Sequence, residues 1–398
     1  MRRQPFEGFG GARAADRLIA DLLIAFACAS SCHDAYNYYS PPPPSDHHSC
    51  AMLALQLVTN RSPKAAHAAA VAANGRVYLH GGIHVKDSDN PSSALWRFDP
   101  NTDSWTLLNA DGPRLSHHVA FVQDDRFLNF VGGWDGSART SSVHTFDSKH
   151  ETWLPMAPAS GFPVGGGLSS HSVTPMTGEG ALVIGRLGGL RTQRRTSAVL
   201  SLTGDHRRGF RFKVHEIPVA SRSGHTAVAV NATRALVIGG RSDPHNAISI
   251  EELKLPFGRF DTTLNAHTCN LLGTIKNTTE LTGRQRIAGR RYHVAVADAC
   301  GRVLMHGGEG YEHLLPNTAE MRADLAVWQA SPKRDGGGVW FDAPLRSTTV
   351  SSPSLLARSP KLSAHCGLAA GGGVLLFGGF KEGWRASKAT FLLRPVEE

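Results

Sequence analysis

Cysteine is scarce in this chain of 398 residues: there are six, with Cys28, Cys32 and Cys50 near the amino terminus and Cys269, Cys300 and Cys366 spread far apart. Neither the paired spacing of a structural zinc site nor the density of a disulfide scaffold is present, so reduced thiols in an intracellular protein are expected. Long apolar runs are missing too. Nothing approaches the roughly 18 uncharged apolar residues that a membrane-spanning helix needs. Acidic residues are outnumbered, 33 against 42 Lys and Arg, for a formal charge of +9. That balance points to an acidic partner or surface and says nothing about fold. The basic residues are not interleaved with aromatics in the way that stacks bases, so nucleic acid is not expected as a partner. No nucleophile elbow, phosphate-cradling loop or zinc-protease motif occurs, and the Gly-Gly pairs lack the helix and Lys that phosphate binding requires. No cofactor is implied.

What the chain does have is repetition. Between Pro113 and Trp153 it shows short apolar runs rich in β-branched and aromatic residues, the diglycine Gly132-Gly133, and the turn and aromatic anchor from Asp147 to Trp153. These features read as four antiparallel strands with a tight turn after the second. The same order recurs. His67, His117, His225, His293 and His365 precede Gly81, Gly132, Gly239, Gly307 and Gly378 by 14, 15, 14, 14 and 13 residues, from the differences in those numbers. His171 begins a sixth unit, with Gly185 at the expected place and the diglycine displaced to Gly188-Gly189.

A period of about 50 residues carrying a diglycine and a later Trp resembles the kelch repeat. The strongest likeness to kelch-domain proteins lies in Ser116-His117-His118, the run Val131 to Ser137, Gly167 to His171, Gly185 to Gly189, Thr192 to Arg195 and Ser221 to His225. The resemblance implies an all-β fold, a six-bladed kelch-type β-propeller over residues 52–396, used to bind protein and without enzymatic activity. The sixth unit ends too soon to make its own fourth strand, so Met52 to Val58 is expected to pair there and close the ring. Residues 1–51 read as a disordered tail. Leu18 to Ala29 imitates a secretory signal interrupted by Asp21, and the sequons at Asn60, Asn231 and Asn277 would matter only in a secreted glycoprotein. Residues 251–289 form an irregular insertion.

Two chemical readings compete for the repeated residues. Six histidines at equivalent places suggest a metal ring, but one such residue per blade is also what a repeated structural bond produces, and the blades hold them too far apart for one ion. A propeller oxidase of the galactose oxidase type needs tyrosines beside a cysteine, and outside the tail only Tyr78, Tyr292 and Tyr311 are available. The reading preferred is a scaffold or adaptor, expected to be a monomer in the cytoplasm or nucleus. It binds an acidic segment of another protein on the loops that flank the diglycines. The residues expected to do so are Arg114, Trp134, Asp135, Arg222, Arg241, Arg290 and Arg291, since Arg grips carboxylates and Trp anchors interfaces.

Overall fold

The computed structural model describes residues 51–163, 166–178, 180–185, 197–241, 250–254, 256, 258–262, 289–298, 301–310, 319–330, 338–343, 345, 355–356, 358–370 and 373–397. Residues 1–50 and, within the 251–289 insertion, 255, 257 and 263–288 lie outside them, while residues 251–254, expected to open the insertion, belong to a regular strand of the fourth blade. Among the described residues the structure is all β, and no helix is long and apolar enough to cross a membrane.

Six antiparallel sheets follow one another as the blades of a propeller. Blade one is built from Ala69–Ala73, Arg76–His80, Leu95–Asp99 and Ser104–Asn109, and blade two from Val119–Gln123, Phe127–Trp134, Arg139–Asp147 and Thr152–Trp153. Blade three runs from Ser172–Met176 outward to Gly209–His215, with Ala159–Ser160 added in parallel at its rim. Blade four shows three described strands, Thr226–Asn231, Arg234–Ile238 and Ile250–Lys254, and blade five ends on Gly338–Asp342. In blade six, Ser363–Ala370, Gly373–Lys381 and Thr390–Glu397 are completed by Ala51–Thr59, which pairs antiparallel to Thr390–Glu397 from Ala51↔Glu397 to Thr59↔Thr390. The ring therefore closes through the early segment expected to do so.

Both faces of the second strand of each blade are buried, which explains their nearly continuous apolar runs. Strand alternation then divides each strand between two seams. In Arg76–His80, Val77 and Leu79 pack with Leu375 and Phe377 of blade six, while Tyr78 packs with Leu128, Phe130 and Phe146 of blade two. Each of the other seams has a core of the same kind, such as Leu236, Ile238, Val303 and Met305 between blades four and five.

The diglycine has a steric cause. At Gly132 (φ +62°) an added Cβ would stand 2.9 Å from His171 Cε1 and 3.1 Å from the Leu168 carbonyl oxygen, both belonging to the next blade. Only glycine permits that approach together with the left-handed backbone.

Candidate interaction face

The blades are tied at the axis by a closed circle of backbone hydrogen bonds. The N–H of His117 donates to the His67 carbonyl (2.8 Å), Ser170 to His117 (2.8 Å), Gly224 to Ser170 (2.7 Å), Tyr292 to Gly224 (2.8 Å), Ala364 to Tyr292 (2.9 Å) and His67 to Ala364 (3.0 Å). All six residues have φ between +52° and +70°. That left-handed turn, costly for the five that are not glycine, aims each amide at the preceding blade.

This circle corrects the expectation of six equivalent histidines. His67 and His117 belong to the circle itself, whereas His118, His171, His225, His293 and His365 stand one position later, where blade one has Ala68. The later set bonds across the seams. His118 Nε2 lies 3.0 Å from His80 Nδ1, His225 Nε2 lies 2.9 Å from Ser172 Oγ, His293 Nε2 lies 2.9 Å from Thr226 Oγ1, and His365 Nε2 lies 2.8 Å from His306 Nδ1. Burial pushes His80, His171, His225 and His293 down to about 3 and His306 to about 4, and holds His118 and His365 well below the ordinary imidazole value. These rings are neutral structural pieces at neutral pH.

The axis holds a vestibule of about 120 Å³, lined by the circle residues His67, His117, Ser170 and Tyr292 together with the seam histidines. His67 and His117 stack with ring centroids 3.7 Å apart, and Tyr292 meets His67 edge-on at 4.5 Å. Burial, then the charges of Arg291 and Arg139, holds His117 at about 4. Arg139 gives its Nε–H to Ser169 Oγ at 2.8 Å. It was missed in the sequence because it begins the third strand, outside the repeated signature.

The loops leading into the first strand and those leaving the second lie on one side of each blade, as the bridges Ser116↔Trp134, Ser223↔Arg241 and Arg291↔Glu309 show. All seven residues expected at the site sit on these loops, but in different roles. Arg114 is exposed and donates to the Pro91 carbonyl (3.1 Å) and to Asn90 Oδ1. Trp134 is half-buried, with its N–H bonded to the Ser116 carbonyl at 2.7 Å. Asp135 is exposed and caps its own turn, accepting from the N–H groups of Ala138 and Ser137, each at 2.7 Å. Arg241 is half-buried, and Arg291 pairs with Glu309 Oε1 at 2.6 Å.

Arg222 and Arg290 do not belong to the accessible face. Their side chains are buried and donate to the carbonyls of Gly239 (2.8 Å) and Gly307 (2.9 Å), the first glycine of each blade's own pair, with Arg290 also paired to Asp324. Each braces the diglycine turn by satisfying a carbonyl at its first glycine. Arg222→Ala is expected to lower stability by about 2 kcal/mol, since it orphans a buried acceptor. Arg114→Ala should change it little, and urea midpoints of the two variants check the contrast.

Comparison with known proteins follows the same lines. Residues 53–240 match the KLHDC2/KLHL20/DRC7 Kelch-repeats domain. Kelch domain-containing protein 9 of Mus musculus is 41% identical over 155 residues, 38% of this chain and 44% of that protein, and the Homo sapiens protein of the same name is 39% identical over the same length. The alignment thus spans less than half the length of these relatives. Kelch-like protein 35 of Homo sapiens is 33% identical over 129 residues, 32% of this chain and 20% of its own. The solved structure of YjhT superposes with a TM-score of 0.59 at 14% identity, covering 85% of this chain and all of that one, a likeness of fold alone. Residues 53–240 therefore carry a kelch-repeat domain, and they form the first blades of a six-bladed β-propeller.

Proposed function

We propose that the chain is a non-catalytic binding module whose loop face receives an acidic segment of another protein. The observation that carries this reading is the pair Arg139 and Arg291, whose charges bear on His117 at an axial cavity lined by histidines held neutral. Neutral imidazoles supply shape and hydrogen bonding there, while the guanidinium groups supply the charge. Kelch-domain relatives bearing the same repeats support a protein partner over a substrate. The module is read as a monomer of the cytoplasm or nucleus, independent of nucleic acid and membrane, in which burial keeps the Cys366 thiol protonated.

Fluorescein-labelled decaglutamate is the probe. Its anisotropy should rise on addition of the intact protein and fall back as salt is raised from about 50 to about 300 mM. An anisotropy that never rises at low salt would remove the acidic partner from consideration.

A further inference from the structure

We propose that the acidic segment is seated off the axis, on the seam between blades six and one, and runs from there toward the vestibule. This rests on the reading above and adds the place and the residues.

Closure of the ring brings three loops together at that seam. Ser62 N–H bonds the Lys388 carbonyl (2.8 Å), Gly379 N–H bonds the Ala65 carbonyl (2.7 Å), and Val85 bridges to Arg385. The result is a concentration of cations: Lys64, Lys86, Lys381, Arg385 and Lys388, none with an acidic partner among the described residues, and Lys361 paired at 3.0 Å with the exposed Glu382. The acids on these same loops are Asp87, Asp89 and Glu382.

The same seam carries an anchor. Trp384 is half-buried with Lys86 Nζ 3.6 Å from its ring centre, and Val85 beside it is 61% exposed, high for an aliphatic side chain. Trp384 also holds φ +55° without belonging to the axial circle, a conformation that a bulky residue keeps only when its surroundings impose it. An aromatic surrounded by cations and beside an exposed aliphatic is the composition of an interface hot spot.

A row of rings beneath the surface leads inward, Trp384 lying 6.0 Å from the buried Phe380, Phe380 5.8 Å from His67, and His67 stacking on His117. An extended peptide of about five residues, at roughly 3.3 Å each, matches the length of that row. A flat anionic membrane fits less well, because the exposed acids Asp87, Asp135 and Glu382 on the same side would be pressed against its headgroups.

The test compares two charge reversals, Lys381→Glu with Arg385→Glu at the seam and Arg114→Glu with Arg241→Glu on the far loops. Two probes are used, decaglutamate and the same peptide with two central leucines. The seam pair should weaken both by about tenfold or more and the far pair by under about threefold, while Trp384→Ala should abolish the preference for the leucine peptide. Thermal melting confirms that each variant is folded. Loss confined to the far pair, or equal in both, overturns the seam while leaving the acidic partner standing. Failure of the unaltered protein to bind either peptide overturns both. Capture of phosphatidylserine vesicles that outcompetes the peptides and disappears in the seam pair overturns the peptide as occupant.

Discussion

Acidification from pH 7.5 to pH 5 is expected to lower the melting temperature steeply, and most of the loss should come before the carboxylates titrate. The unfolded chain binds protons at its histidines near 6.5. The folded chain does not, because burial holds His80, His171, His225 and His293 near 3 and His306 near 4. Above 6.5 both states are neutral and no difference exists. Below it the unfolded state gains protons, so stability falls through the interval down to the folded values. Each such group removes on the order of 1.4 kcal/mol per pH unit, so the five of them acting over the roughly 1.5 units from 6.5 to 5 remove up to about 10 kcal/mol, within the roughly 5–15 kcal/mol of a typical domain. Carboxylates act lower. Backbone N–H donors led by Arg208 hold Asp205 at about 2, and its contribution is present above the ordinary carboxylate value and lost only below it. Calorimetry at half-unit steps separates the two limbs, and a melting temperature that is level from 7.5 to 5 would contradict the neutral histidine seams.

Leu53→Ala combined with Leu55→Ala is expected to be the most damaging pair in the closing strand. Both side chains are fully buried, Leu53 facing Pro395 and Leu55 placed between Leu393 and Leu356. They join the core shared by blades five and six with Val294, Leu304 and Leu376. Each truncation costs about 3 kcal/mol in lost transfer energy and residual cavity. The larger consequence is topological, since a weakened closing strand exposes the edge of Thr390–Glu397 to pairing with other chains. Urea denaturation should show a shifted midpoint, and size-exclusion chromatography should show association. Leu107→Ala, on the outer strand of blade one and 46% exposed, is the control expected to do neither. A double variant with an unmoved midpoint would refute the closing role.

The fold was legible because its causes are local and repeated. A histidine followed by a diglycine records two close passages, the imidazole over the preceding blade's first glycine and the histidine Cβ against the second glycine of its own blade, and that constraint shows as spacing in the chain. The short sixth unit likewise announced a strand borrowed from residues 51–59. The site was legible only in part. Charge alone does not distinguish Arg222 and Arg290, which brace buried glycine carbonyls, from Arg114, which stays exposed, because the difference depends on where the guanidinium ends. Nor could spacing separate His67 and His117 from the histidines one step later, since neighbouring residues of a turn face different seams. Trp384 and Lys86 escaped notice because they are some 300 residues apart in sequence and meet only on closure of the ring.

The amides around the axis all point in one rotational sense, each serving the blade before it. A loop of dipoles with no beginning leaves no amide of the circle without an acceptor, and head-to-tail moments around a ring largely cancel. What rests at the hub is therefore met chiefly by the imidazoles, the phenol and the hydroxyl, side chains that can be exchanged without breaking the circle.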